Sequence, residues 1–476
     1  MSLKKNFVYQ IMYQVLVVIT PLITAPYISR VLGATSIGIA SYTYSIAGYF
    51  LILACLGVNN YANRSISTIR TDKKLISKTF SSIFMLHLIL SLLMSIAYII
   101  YCFIYVKQYF NIFMVQGIYI YASIFDITWL YYGLEQFKKI TLRNICLKLI
   151  SVISMFIFVK NESNLTIYCL ILSLTQFVSQ LVLWFGIKKY VNIVKVKFSE
   201  CIVHLKPMII LFLPMIAIYL YKYIDRTMLG SMSDIKEVGY YDNSAKIINI
   251  CLGIILALST VMLPRMSFLY EKKDTEKIEK YSRYAFIVSS FLATAMTLGL
   301  VAVSDTFIPF FFGEGYEQCI DITILLAISL MFSSWSSIIK SVYFLPNRRD
   351  IQFTITLLVG AIINIILNFV LIPIYAAKGS AIATLFTECI IVLLQSIMAS
   401  KYVRVLQYLF DAIPFLISGI IMYICIKFIS LPFQSPTVIL SIKIMIGAVV
   451  YIILSILIYL IYNKKLLIEI KHSIKH

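Results

Sequence analysis

An all-α polytopic membrane protein with fourteen transmembrane helices is the fold this sequence predicts, on three observations. Hydrophobic residues make up 61% of the 476 positions and charged residues 13%, with a mean hydropathy of +0.92. A soluble globular chain carries about 25% charged residues. Apolar windows of roughly 20 residues, enough to cross a bilayer, recur along the whole length. The basic residues gather in every second connection between those windows, as the positive-inside rule requires.

Taken in order, the spans fall near 7–29, 35–58, 79–106, 109–133, 142–160, 164–187 and 207–229. They continue near 239–263, 284–304, 317–343, 351–374, 376–400, 409–430 and 437–462. The opening "MSLKKNFVYQIMYQ" has the two lysines of a signal peptide. Its apolar part is too long, contains Gln10 and Gln14 and has no small-x-small cleavage site, so it reads as a retained first helix.

With both termini cytoplasmic and every span crossing, roughly three quarters of the 41 basic residues lie on the inside. Arg64, Arg70, Lys73, Lys74 and Lys78 form one such group, and Lys188, Lys189, Lys195, Lys197 and Lys206 another. The outer connection "FFGEGYEQCID" has no Lys or Arg but three acids, Glu314, Glu317 and Asp321. The net charge of +20 is therefore read as topology, with some attraction to anionic lipid. Nucleic acid is excluded as a partner, because the charge is spread over many short loops and forms no single face.

Several chemistries lack their material. Nine cysteines without a CxxC pair and four histidines, two of them in the tail, make no metal or redox site. No GxxxxGK[ST], GxSxG or HExxH occurs, and no segment is long enough for a soluble catalytic domain. The chain is read as a non-enzyme with no resident cofactor.

The first span ends "APYISRVLGATSIGIASYTYS" and the seventh "YKYIDRTMLGSMSDIKEVGYYDNSAK". Each has a tyrosine, then Arg30 or Arg226, then Leu-Gly, a short loop with a second glycine, and tyrosines opening the next helix. Six spans followed by a related six predict two lobes with parallel topology and a substrate path between them. The expected division is 1–200 for the N-lobe, 201–400 for the C-lobe, and 401–476 for a terminal helix pair with a cytoplasmic tail.

These segments, with "VMLPRMS", "DITWLYYGLEQFKKITLRN", "FFGEGYEQCIDITILLAISLMFSS" and "LIPIYAAKGSAIATLFTE", carry a resemblance over essentially the whole chain. The sequence resembles the polysaccharide-export branch of the multidrug/oligosaccharidyl-lipid/polysaccharide (MOP) superfamily, most of all Wzx-type flippases of capsule and O-antigen assembly. The resemblance implies two six-helix lobes with pseudo-two-fold symmetry plus a C-terminal pair, in a bacterial cytoplasmic membrane. It implies a substrate, undecaprenyl-diphosphate-linked oligosaccharide, turned from the cytoplasmic to the outer leaflet by alternating access through a basic central cavity. Polysaccharide polymerase machinery would be a partner. A cation-coupled drug exporter and a peptidoglycan-precursor flippase of the same superfamily are the alternatives.

The intramembrane charges are the candidate site, since each costs roughly 2.5–3.5 kcal/mol at mid-bilayer on insertion scales. Lys222, Asp225 and Arg226 share one helical face, and Asp242 and Lys246 follow at i, i+4 on the next span. Two readings stand. Lys222 with Asp225, and Asp242 with Lys246, are internal ion pairs that act as glue between helices; or the basic groups line a water-filled cavity for a diphosphate. Arg30, Arg64 and Lys340 would extend such a basic path. Asp126, Asp225 and Asp242 are candidates for coupling to a proton or sodium gradient, although Asp126 could equally hydrogen-bond a neighbouring helix, and Glu388 poses the same choice. The pairs Gln10/Gln14, Gln176/Gln180 and Asn364/Asn368 are either sugar-binding or interhelical amides. Tyr42, Tyr44, Tyr240 and Tyr241 are candidates for stacking on sugar rings. Pro21, Pro26, Pro214 and Pro264 are expected kink sites.

Overall fold

The computed structural model describes the backbone of residues 3–400, 402–429 and 431–474, with side chains between residues 16 and 461 within those ranges. Contacts divide the chain into two compact units, Met1–Gly239 and Tyr240–His476. The first holds α1 Leu3–Cys55, α2 Val58–Thr68, α3 Lys73–Tyr105, α4 Phe110–Ser123 and α5 Thr128–Gly133. It continues with α6 Phe137–Phe158, α7 Leu165–Trp184, α8 Phe198–Ile202 and α9 Leu205–Met232. The unit boundary falls in the first turns of α10 Ile235–Glu271. Then come α11 Thr275–Phe312, α12 Gln318–Ile339, α13 Asp350–Ala399, α14 Val405–Asp411, α15 Ile413–Phe428 and α16 Pro436–Ile474. No strand occurs among the described residues.

Among the described residues, 12 helical stretches are long and apolar enough to cross a membrane. Two helices, α1 with 53 residues and α13 with 50, each contain one residue outside helical dihedrals. These are Gly33 (φ 72, ψ 168) and Ala376 (φ 49, ψ −127). The break in α1 falls at Gly33 and not at Pro21 or Pro26, because glycine enters positive φ without a Cβ clash.

Two expected spans end differently from their sequence reading. The span drawn over 35–58 stops at Cys55, where Leu56 and Gly57 take positive φ before α2 begins. The span drawn over 109–133 is interrupted between α4 and α5. The Asp126 carboxylate accepts the Thr128 backbone N–H at 2.9 Å there, an Asx-type capture that diverts the backbone from the helix.

The first unit takes in α9. Glycines allow α9 its close approach to α1. A Cβ on Gly48 would stand 1.4 Å from the Tyr219 hydroxyl oxygen, and one on Gly230 would stand 2.1 Å from the Tyr42 ring. Both tyrosines occupy space that only glycine leaves open. Elsewhere in this unit, Phe80, Trp129, Leu130, Tyr131, Leu183 and Met208 build a buried cluster from α3, α5, α7 and α9. Buried serines of α3 return their hydroxyls to the preceding turn, Ser81 to Ser77 and Ser95 to Ser91, so no hydroxyl proton is stranded in apolar surroundings. Ser77 and Ser81 also accept the backbone N–H groups of Asn192 and Val194, strapping the extended segment before α8 to α3.

In the second unit, α12 runs on into a π-helical turn, Lys340–Phe344, where the Leu345 N–H reaches back to the Lys340 carbonyl at 3.1 Å. Arg283 on α11 grips Asp411 on α14 with two hydrogen bonds of 2.7 and 2.8 Å. Exposed Ile362, Ile366, Phe369 and Val370 on α13, and Met445, Val449, Ile452 and Ile456 on α16, form surfaces suited to lipid.

Candidate functional site

The turn Lys222–Asp225–Arg226 lies in the C-terminal half of α9. Asp225 and Arg226 are buried at 4% and 8% exposure, and Lys222 is exposed. The Arg226 guanidinium donates to the Lys222 carbonyl at 2.8 Å. It also stands 5.6 Å from the centroid of the Tyr223 ring, as does the Lys222 ammonium. Cation–π contacts of this kind contribute about 0.5–2 kcal/mol, most where water is excluded.

Tyr223 belongs to a ladder of tyrosines. It stacks on Tyr219 one turn earlier, with centroids 4.4 Å apart. Its edge contact with Tyr44 on α1 (5.9 Å) continues to Tyr119 on α4 (5.0 Å). Tyr219 meets Tyr49 at 5.6 Å, and the Tyr49 hydroxyl is 3.1 Å from Thr227 Oγ1. Of these rings the sequence reading singled out only Tyr44. The missed ones, Tyr49, Tyr119, Tyr219 and Tyr223, signal themselves only by composition, since three helices bring them together. An Arg–Lys pair among tyrosines can bind phosphate oxygens through guanidinium N–H donors and pack apolar sugar faces on rings.

In the second unit, Lys246 forms the i, i+4 ion pair with Asp242 at 2.9 Å and donates to Asn243 Oδ1 at 3.1 Å. This pair lies within α10 itself. The Tyr241 hydroxyl is 3.0 Å from Thr384 Oγ1, and the Tyr240 hydroxyl donates to the Gly315 carbonyl at 3.1 Å. Asn368 donates to Asn364 Oδ1 at 3.0 Å, so that amide pair closes within its own helix. Half-buried Lys340 opens the π-helical turn, its ammonium 5.2 Å from the Phe353 ring centroid. Glu388 is buried on α13.

The remaining candidates in the first unit sit on other elements. Arg30 is exposed on α1 one turn before Gly33, and Arg64 is exposed on α2. Asp126, 7% exposed, forms its own cluster at the α4–α5 junction, with Asn59 Nδ2 3.5 Å from its Oδ2. Gln180 on α7 accepts the Thr128 hydroxyl of α5 at 3.1 Å. Gln10 and Gln14 lie outside the residues with described side chains. No group of three or more His, Cys, Asp or Glu side chains fit to hold a metal occurs among the described residues.

The sequence pattern of the family described as "Polysaccharide biosynthesis protein" matches residues 3–269, and that of the family described as MatE matches residues 211–370. A protein of Shigella dysenteriae named "Putative O-antigen transporter" is 24% identical over 405 residues, covering 82% of this chain and 98% of its own. Among solved structures, a lipid II flippase MurJ in an inward closed conformation superposes with a TM-score of 0.75 at 16% identity, covering 95% of this chain and 98% of its own. An inward-facing multidrug resistance MATE family transporter of the MOP superfamily gives 0.59 at 12% identity, covering 87% of this chain and 100% of its own. These relatives are transporters and flippases, and the two structures share the fold.

Proposed function

Since the chain belongs to the polysaccharide biosynthesis protein family, a MOP-superfamily flippase family, we propose that it turns undecaprenyl-diphosphate-linked oligosaccharide repeat units from the cytoplasmic to the outer leaflet of a bacterial cytoplasmic membrane. The observation that carries this reading is the buried Arg226 beside Lys222 within the tyrosine ladder of α9. A diphosphate taken from water into a low-dielectric region needs fixed positive charge to offset its desolvation. The sugars that follow it need rings and hydroxyl partners. The O-antigen transporter name of the Shigella relative points the same way.

The lengths of α1 and α13 support a count of fourteen spans. At 1.5 Å per residue a 53-residue helix is about 80 Å long, against a hydrocarbon core of about 30 Å. Each of the two is read as a pair of crossings meeting at Gly33 or Ala376. Both termini then lie in the cytoplasm, and the basic loops lie inside. Transport proceeds by alternating access, with energy drawn from a proton or sodium gradient or from polymerisation of the product.

The test is a proteoliposome assay with an undecaprenyl-diphosphate oligosaccharide carrying a fluorescent sugar, and an impermeant quencher to report its leaflet. The reading requires transfer well above protein-free vesicles. Transfer at the protein-free rate, together with efflux of a cationic dye, would replace it with the drug-exporter alternative.

A further inference from the structure

Beside Asp126 the first unit has an open cleft of about 350 Å³, bounded by α2, the α4–α5 junction, α6 and α7. Ligand pockets start at about 300 Å³, so one sugar ring is the scale of occupant it suits. We propose that this cleft is a subsite for one uncharged sugar of the transported glycan. The inference rests on the flippase reading and adds where, and which, sugar is read.

Amide and carboxylate groups from four elements converge on it: Asn59 from α2, Asp126 from the junction, Asn144 from α6, and Gln176 and Gln180 from α7. In spans built otherwise from Ile, Leu and Phe, such a density of donors and acceptors is costly wherever one of them is left without a partner. The Asn59 Oδ1 atom is buried and makes no hydrogen bond among the described residues.

The frame is braced. The Trp129 indole donates to the Asp126 carbonyl at 3.1 Å, and the Trp184 indole to the Phe125 carbonyl at 2.9 Å. Arg143 spends its donors locally, on Asn144 Oδ1 at 2.7 and 3.0 Å and on the Ser179 carbonyl at 2.8 Å. The guanidinium therefore orients Asn144. A site with one acid, one committed base and several amides suits hydroxyls and an acetamido group. It offers no surplus charge to a uronate or a phosphate. The exposed Tyr132 ring at the rim adds an apolar face.

The experiment is saturation-transfer NMR on the full-length protein in lipid nanodiscs, with methyl glucopyranoside, N-acetylglucosamine and glucuronate as separate probes. One or both neutral sugars should receive saturation at millimolar concentration and glucuronate should not. Asn59→Leu and Gln176→Leu should each weaken the signal about tenfold. Gln176 is exposed, so that variant should remain folded whatever happens to Asn59→Leu. No transfer to either neutral sugar, equal transfer to glucuronate, or a signal unchanged in Gln176→Leu would overturn the proposal. Neutral-sugar binding without movement of the lipid-linked glycan would keep the subsite and defeat the flippase reading. Glycan movement without neutral-sugar binding would do the reverse.

Discussion

Tyr219 fills the notch left by Gly48: its hydroxyl oxygen stands 1.4 Å from where a Cβ on that glycine would be. The consequence is a coupled pair across α1 and α9. Gly48→Ala should cost about 1–3 kcal/mol through overpacking, read as a lower melting temperature of the purified protein. Combining it with Tyr219→Leu should restore much of the loss. If the two effects simply add, the contact is not what sets the spacing of the helices.

Arg226 should matter more to transport than to folding. Arg226→Gln is expected to reduce glycan transfer about tenfold or more, and Arg226→Lys to retain part of it, since a lysine keeps the charge but loses the two-pronged fit to phosphate oxygens. Initial rates in the proteoliposome assay, normalised to folded protein, measure this. Equal rates for wild type and Arg226→Gln would remove the phosphate role.

How much of this could be read beforehand differs from residue to residue. Arg226 was legible because charge in an apolar run is conspicuous and Lys222 and Asp225 sit at helical spacing on one face. The Asp242–Lys246 pair was legible for the same reason. The expected spans ended near 29 and 374, and the helical dihedrals are interrupted nearby at Gly33 and Ala376. The ladder was not legible, since Tyr44 and Tyr223 meet only after α1 and α9 pack, and any of the 34 tyrosines looks alike in sequence. Nothing local in the sequence marks the bond of Arg143 to the Ser179 carbonyl, since the two residues lie on different helices. Asp126 was conspicuous as an intramembrane acid, but its capture of Thr128, which breaks the helix, depends on a backbone geometry that hydropathy does not encode.

Arg283 and Asp411 join α11 to α14 through a two-pronged ion pair in which the carboxylate is nearly buried. Asp411→Ala strands the guanidinium, and removing one partner of a buried pair costs about 3–5 kcal/mol. A clear fall in thermal stability is expected, with partial recovery in Arg283→Met/Asp411→Ala. Chemical or thermal unfolding of all three proteins decides it, and a single variant as stable as the wild type would show the pair to be solvated.

Ala376 holds φ 49, ψ −127, a conformation that costs a non-glycine residue of order 1–3 kcal/mol. Glycine would relieve it while losing about 0.5–1 kcal/mol to chain entropy, so Ala376→Gly should stabilise by about 1 kcal/mol. Ala376→Val should destabilise. A melting temperature lowered by the glycine variant would mean that the Ala376 methyl packs usefully.

The π-helical turn at Lys340–Phe344 fits one residue more into a turn than an α-helix holds. Removing a single residue there, such as Ser341, closes the ladder into an ordinary α-helix with no hydrogen bond lost. Because the turn had already absorbed the extra residue, the segments on its two sides keep nearly the same facing after the deletion. The chain thus carries at this turn a place where its length can change by one codon while the span on either side keeps its facing.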